Sequence, residues 1–528
     1  MTVSEKRSLT TTTAFQTHAP HLVTAATWVG FAMMCVGMFM AILDVQVVAT
    51  SLPTIQQALH IAQDRMSWIQ TAYLIAEIVS IPLTGFLIRT FTMRWLFVAA
   101  VLIFTLASIA CAASGSFPSL VTWRVVQGFS GGTLIPAVFS ALFLLFPIRF
   151  QAFATTVAGV LAVLAPTVGP IVGGWITETY SWPWLFLINV LPGIIAASVA
   201  TVSLPKEPAV FDQLHNLDVR CLGLAAIALA ALEIAIKEAP QRGWGSPLVV
   251  GLLSSSLITS VGFVGRTLRS PRPLVDLRIF RDRNFSIGCF LSFVLGIGLF
   301  GSVYLMPVFL AYVRGHHALE IGEIMLVTGV SQLAAAPLAV ALVRYFDERI
   351  LSAVGFLLFG IGLGLSSVQT RITDFDEMFW PQLVRGCAIM FCILAPTQLA
   401  LGRLSKSAVA DASGLFNMMR NLGGAIGIAV IDTIIYTRAP EHSRNLIDRL
   451  AAGELDTSKV LGISPDALGA ALLDPANQAM IAPLIDKAAF VEAINDAWAL
   501  VAVATVAVLV VVPFARRTPR SESVILSE

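Results

Sequence analysis

Residues 41–53 read AILDVQVVATSLP and sit inside an apolar run that begins near Ala25. Asp44 interrupts that run. A carboxylate withdrawn from water costs several kcal/mol unless it is neutralised or paired. The fold therefore turns on whether the run crosses a membrane, and the function on what Asp44 does there. Composition answers the first question. Hydrophobic residues make up 57% of the chain and charged residues only 12%, where a soluble domain carries roughly 25%. The mean hydropathy is +0.82. The net charge of +1 excludes nothing, because in such a chain the placement of charges matters more than their sum.

Working outward from Asp44, apolar stretches of about 20 residues, enough to cross hydrocarbon as a helix, recur to Phe514. The expected fold is an all-α polytopic membrane protein with fourteen spans: 25–51, 66–88, 94–114, 117–146, 150–177, 182–204, 218–237, 246–267, 284–312, 319–343, 349–369, 377–401, 411–436 and 491–514. The first run is too long for a signal-peptide core and lacks a cleavage site, so it stays in the mature chain. With both termini in the cytoplasm, the inner segments receive Lys6, Arg7, Arg89, Arg94, Arg149, Lys206, Arg220, a cluster from Arg266 to Arg283, Arg344, Arg349, Arg403, Lys406, Arg516, Arg517 and Arg520. The short outer loops receive only Arg65, Lys237, Arg242, Arg314 and Arg371, and the positive-inside rule selects this orientation.

The six cysteines fall within spans without a CxxC spacing, so neither a disulfide framework nor a zinc site is expected. His316 and His317 are adjacent on an outer loop and read as a solvated turn rather than a metal site. Three pieces interrupt the spans. The Ser/Thr-rich tail before residue 25 has a disordered composition. The basic stretch RSPRPLVDLRIFRDRNF (269–285) reads as a linker helix at the lipid surface. The segment 438–490 reads as a long outer loop with helix-like stretches, Ser464–Pro465 being one candidate helix start.

Asp44 lies about two turns from the outer end of span 1, and Arg124 about two turns down span 4, which places opposite charges at one depth. Such a pair is cheaper than either charge alone. It is either a permanent salt bridge or a carboxyl that takes and releases a proton under the influence of the arginine. In span 2, Gln70, Tyr73, Glu77, Ser80 and Thr84 share one helix face. That polar stripe faces either a water-filled cavity or a packed hydrogen-bonding seam, and the ionisable Glu77 favours the cavity. The second half echoes the first. Arg385 lies in span 12 as Arg124 does in span 4, and span 13 carries Asn417, Arg420 and Asn421, the run GGAIG (423–427) and Asp432. Matching halves suit a transporter built from repeats around a central site.

LVTWRVVQGFSGG (120–132) resembles the span-4 motif of the major facilitator superfamily, with Arg124, Gln127 and Gly128 in place. APTVGPIVGG (165–174) resembles that superfamily's antiporter motif, with Gly169, Pro170, Gly173 and Gly174 matching and Pro166 adding a bend. LDVQVVATSLPTI (43–55) and WPWLFLINVLPG (182–193) are similar to signatures of its fourteen-span EmrB/QacA-type drug/proton antiporters. Two departures stand out. In GFLIRTFTMR (85–94), Arg89 replaces an expected acid and Thr92 an expected glycine, and Pro183 replaces the arginine usual between the span-6 tryptophans.

The resemblance implies two six-helix bundles, 25–204 and 284–514, with two inserted helices over 205–268, a basic linker at 269–283 and cytoplasmic tails at 1–24 and 515–528. It implies export of drug-like, hydrophobic or amphipathic toxic compounds across an inner membrane in exchange for protons, with a single-metabolite exporter (of a siderophore or aromatic acid) as the alternative. Asp44, Arg124 and Glu77 would couple protons. Tyr73, Gln70, Ser80, Gln127, Arg385, Asn417, Arg420 and Asn421 would line the substrate cavity. Small-molecule substrates, the lipid bilayer, a periplasmic adaptor and an outer-membrane channel are the implied partners, with no nucleic acid, cofactor or metal. An enzyme would need an interfacial cluster of reactive side chains, and the sequence offers none.

Overall fold

The computed structural model describes residues 24–62, 65–206, 218–270, 275–402, 404, 406–451 and 475–517. Within them the regular structure is helical: α1 (Ala25–Ala58), α2 (Trp68–Ser80), α3 (Leu83–Ala112), α4 (Phe117–Leu145), α5 (Ile148–Thr179), α6 (Trp184–Leu187), α7 (Val190–Ser203), α8 (Val219–Arg242), α9 (Pro247–Arg269), α10 (Arg283–Phe309), α11 (Ala318–Tyr345), α12 (Glu348–Leu365), α13 (Phe375–Leu401), α14 (Lys406–Ala451) and α15 (Pro475–Ala507). Twelve of the helical segments are long and apolar enough to cross a membrane. The second span, interrupted at Ile81–Pro82, and α5 bring the crossings to the expected fourteen.

Local chemistry sets the helix ends. Asp218 caps α8 by accepting from the Cys221 amide at 3.0 Å, and Asp282 caps α10 through the Phe285 amide at 2.8 Å. Asp374 and Glu377 form a capping box on α13. Spans 2 and 3 meet without a loop, because Thr92 turns the chain at φ 74°, ψ 157°. Glycine reaches that region at no steric cost, and a β-branched residue is strained there. The threonine found where the family pattern has glycine therefore occupies the one backbone position of this turn that needs glycine.

The helices form two bundles with matching internal packing. α1 lies on α5 as α10 lies on α14, α3 lies on α4 as α12 lies on α13, and α2 lies on α4 as α11 lies on α13. The bundles meet where α5 packs on α11 and α2 on α14. The sequence assigns the α1–α2 and α5–α6 ends to the outer side, and that name is kept for this end of the molecule. There the bundles are joined. A Cβ on Gly174 would stand 2.3 Å from the Ala318 carbonyl oxygen, and one on Gly322 2.4 Å from that of Pro170. The Leu319 amide donates to Glu178 at 3.1 Å, and the Tyr312 hydroxyl to Gln56 at 3.2 Å.

Of the inserted pair, α8 packs against α14 and α2, and α9 packs on α8. Ser256 donates to the Ala228 carbonyl at 2.8 Å and fastens the hairpin. Leu257, Ile258 and Val261 on α9 are two-thirds or more exposed, as a lipid-facing surface demands.

Three expectations change. Lys237 is not a loop residue: α8 continues to Arg242, and Lys237 is 3% exposed. The segment 438–490 is not a loop throughout. α14 runs on to Ala451 and α15 begins at Pro475, so the ends of the segment are helix, and residues 452–474, including Ser464 and Pro465, lie outside the described residues. These helical extensions also bury each other: Leu446, Leu450, Ile485, Ala488 and Ala489 make a small core, and the His442 ring sits 3.0 Å from Glu492 and 2.8 Å from Asp496. The basic linker does not lie free at the lipid surface, because Val275 and the short 3-10 helix Leu277–Arg281 pack on Phe285, Cys289 and Phe416. Residues 1–23, 271–274 and 518–528, which hold most of both tails and part of the linker, lie outside the described residues.

Candidate functional site

Asp44 lies in the buried stretch of α1 and is fully enclosed. Arg124 on α4, also fully buried, pairs with its Oδ2. Gln127, one turn along α4, donates from Nε2 to Oδ1 at 2.9 Å, and Asn189 at the start of α7 donates to the same oxygen at 2.9 Å. The guanidinium is held from several sides. Its Nε donates to the Ile69 carbonyl at 3.0 Å and its Nη1 to Gln127 Oε1 at 2.8 Å, while it stacks 4.3 Å over the Tyr73 ring. Gln127 also donates to Ser108 at 2.9 Å. Three helices thus converge on one carboxylate whose charge is met by one cation and two amide donors. Charge-assisted hydrogen bonds of this kind are the strong ones in a low-dielectric interior.

Glycines let the backbones come close enough for this. A Cβ on Gly128 would lie 2.2 Å from the Tyr73 carbonyl oxygen, and one on Gly132 2.6 Å from that of Glu77, so α4 rides directly on α2. Gly169 and Gly173 do the same for α5 on α1, where their Cβ atoms would meet Gln46 Cβ at 2.5 Å and the Val47 carbonyl oxygen at 2.8 Å. Pro166 lies within α5, its side chain outside the described ones.

The stripe on α2 is packed in this conformation, in contrast to the open cavity favoured from sequence. Tyr73 and Ser80 are fully buried against the α4 glycines, and Ser80 donates to the Glu77 carbonyl at 2.9 Å. Gln70 is fully buried, and neither of its amide atoms has a partner among the described residues. Glu77 points to the second bundle, where Asn421 and the Arg420 guanidinium stand near its carboxyl group. Arg420 in turn donates to Asn417 at 2.9 Å. The structure therefore brings Glu77, Arg420, Asn421 and Asn417 into one group across the bundle interface.

Arg385 holds in α13 the place that Arg124 holds in α4, but its surroundings differ. Its Nη2 lies 2.8 Å from Met306 Sδ and 3.2 Å from Thr328 Oγ1, and the Trp498 ring lies under it at 5.3 Å. Its Nε and Nη1 have no hydrogen-bond partner among the described residues, and no carboxylate there pairs with it. Met306 on α10 stands where α1 has Asp44. Arg385 lines a cavity of about 30 Å³ between the bundles, together with Gln46, Pro170, Thr328 and Gln332. Drug-sized ligands need several hundred Å³, so a substrate site here requires the bundles to move apart.

Sequence reading missed Asn189, although it stands within the quoted 182–193 signature, because an uncharged amide gives no ionic signal. It missed Glu233 on α8 altogether. A second buried cluster, on the outer side, joins Lys237 to Ser67 and Asp432.

The family model described as Major Facilitator Superfamily matches residues 34–428. The chain belongs to this superfamily. Its similarity to the colistin resistance protein EmrB of Acinetobacter baumannii is 39% identity over 409 residues, covering 77% of this chain and 80% of that one. The multidrug export protein EmrB of Escherichia coli K12 is 29% identical, over 78% and 80% of the two chains. These relatives place it with the superfamily's EmrB/QacA-type antiporters. Among solved structures, a bacterial homolog of the human lysosomal transporter Spinster, in an inward-facing and unoccupied conformation, matches 94% of this chain and 100% of that chain, with a TM-score of 0.60 and 14% identity. A D-xylose–proton symporter matches at a TM-score of 0.56 and 14% identity, over 77% and 90% of the two chains. Both are likenesses of fold. The chain is a multi-pass membrane transporter of the superfamily.

Proposed function

We propose that the protein is a proton-driven exporter of hydrophobic or amphipathic toxic compounds, seated in a bacterial inner membrane with both termini cytoplasmic. The buried Asp44 with its three donors carries this reading. A carboxyl that couples transport to protons must be kept from lipid and from bulk water, and must have partners that favour its ionised form until a proton arrives. Asp44 takes and gives the proton, Arg124, Gln127 and Asn189 hold the ionised form, and Glu77 with Arg420 and Asn421 ties that event to the bundle interface. The export relatives supply the substrate class. The proton gradient is the energy source, so no cofactor is required, and no substrate bond is made or broken.

In reconstituted vesicles carrying a pH gradient, Asp44→Asn abolishes uphill export while the protein stays folded and inserted, and Asp44→Glu keeps part of it. Full uphill transport by Asp44→Asn would leave the pair as a structural salt bridge. The helical extensions of α14 and α15 form the surface for a periplasmic adaptor of a multi-component pump that also includes an outer-membrane channel. Replacing residues 445–484 with a short turn should remove resistance in whole cells and leave transport in vesicles. Loss in vesicles as well would make the extensions a lid on the transporter.

A further inference from the structure

Arg385 on α13 is 2% exposed, and among the described residues no carboxylate pairs with it. Its contacts are neutral: the Met306 sulfur, the Thr328 hydroxyl and the face of Trp498. An arginine keeps its charge in such surroundings, and a buried charge without a counter-charge is costly. Arg124 shows how the fold treats a cation whose partner is built in. The matching position of the first half is answered by Asp44 from within the chain, whereas Met306 occupies that place in the second half. Gln382 adds a second observation. It stands three residues before Arg385, on the same face of α13, and is 1% exposed. Its Oε1 accepts from Thr328 at 2.9 Å, while its Nε2, like Arg385 Nε and Nη1, has no acceptor among the described residues. One positive charge and three donor nitrogens without acceptors thus lie within one turn of helix. The cavity beside them has apolar walls from Val303, Met325 and Ile389, and no acidic side chain lines it. Gln46 on α1 and Pro170 on α5 close it from the first bundle, and the rest of its lining belongs to the second. Parting of the bundles therefore enlarges this space and leaves Arg385 on its wall.

We propose that Arg385 is the receptor for the charged head of the substrate, and that the transporter takes amphipathic organic anions: carboxylates or acidic phenols with an apolar body. The head pairs with the guanidinium, beside which Thr328 holds the Gln382 amide as a second donor. The body lies along the apolar walls. Such a ligand supplies the counter-charge that Asp44 supplies to Arg124, and a guanidinium is well matched to a carboxylate in shape and charge. An organic cation would meet the guanidinium with no acid to offset it, so the same site turns cations away. The proposal rests on the export reading above and narrows its substrate class by charge.

The test uses three probes that share one apolar body: para-octylbenzoate, its neutral amide para-octylbenzamide, and the cation para-octylbenzylammonium. Binding to the full chain in lipid nanodiscs is measured by equilibrium dialysis, with empty nanodiscs as the blank. The parent should bind the acid about tenfold or more tighter than the amide, and the cation worst. Arg385→Gln should weaken the acid by about 10–150-fold, as for loss of a hydrogen bond to a charged group, and the amide far less. Arg385→Lys should keep part of the preference. Met306→Asp separates a receptor from a packing residue, because its carboxylate oxygen falls where the Met306 sulfur lies 2.8 Å from Nη2. That variant supplies the counter-charge from within. Acid binding should then fall as in Arg385→Gln, while the unfolding temperature stays at or above the parent's. A parent that binds the acid no better than the amide, or acid binding that survives Arg385→Gln or Met306→Asp, would overturn the proposal. Binding in nanodiscs needs no proton gradient, so the two readings can fail separately. Uphill export that fails in vesicles while these binding results hold would overturn the proton-driven reading alone. Uphill export that succeeds while acid binding ignores Arg385 would overturn the anion receptor alone.

Discussion

Arg124→Ala removes the one cation that meets Asp44 and with it the bonds to Ile69 and Gln127. Breaking a buried pair from one side costs about 3–5 kcal/mol, mostly through the charge left behind. In this site the cost has a ceiling, because the stranded carboxyl can take up a proton. For a carboxyl of ordinary affinity, neutralisation costs about 1.4 kcal/mol for each pH unit above roughly 3.9. The ceiling is therefore about 5 kcal/mol at pH 7.5 and about 2 kcal/mol at pH 5.5. The sign follows: Arg124→Ala gains stability relative to the parent as the pH falls, by about 2.7 kcal/mol over those two units. Asp44→Asn in the same chain supplies the neutral form permanently, so the double variant should be more stable than Arg124→Ala at pH 7.5 and should lose its pH dependence. Thermal unfolding of the purified protein in detergent, run at both pH values on the parent, both single variants and the double, reads this directly. A deficit in Arg124→Ala that is equal at both pH values and unrelieved by Asp44→Asn would refute the idea that the two side chains exchange charge for a proton.

Asn189→Ala deletes a donor to the ionised carboxyl, and the pH optimum of export in vesicles should move alkaline with the protein still inserted. Gly128→Ala sets a Cβ 2.2 Å from a backbone oxygen and should cost about 1–3 kcal/mol and most of the transport. Gly159→Ala, which meets nothing within 4 Å, should be neutral in the same unfolding and transport assays. Thr92→Gly relieves the positive-φ turn, and after the extra chain entropy of glycine it should raise the unfolding temperature by a gain of about 1 kcal/mol. Cysteines at Thr328 or Gln332, beside the small cavity, should react with water-soluble maleimides and be protected by substrate, while one at Ser80 stays inert between α2 and α4.

What could be read from the sequence depended on charge and period. Apolar runs gave the crossings because hydrocarbon demands about 20 residues from each helix. Asp44 and Arg124 were legible because two opposite charges at one depth have few other ways to exist. Lys237 was misread for the same reason, since a lysine near the end of an apolar run looks like the end of the span, and only the packing of α8 on α14 shows that its partner lies on another helix. Residues 438–451 and 475–490 looked like loop because their polar content hides a narrow apolar seam, Leu446 and Leu450 against Ile485 and Ala489. Asn189 and Met306 could not be found at all, because their roles exist only once the helices are assembled.

α14 is 46 residues long, which is about 69 Å at 1.5 Å per residue and more than twice the thickness of a hydrocarbon core. The part beyond Asp432 is a rigid arm of roughly 28 Å, braced by α15. Alternating access in transporters of repeated halves proceeds by rocking of one bundle against the other. A rotation of about 10° at the base of such an arm swings its tip by about 5 Å. A transport event hidden within the bilayer is thus amplified into a displacement that a protein standing outside the membrane can feel.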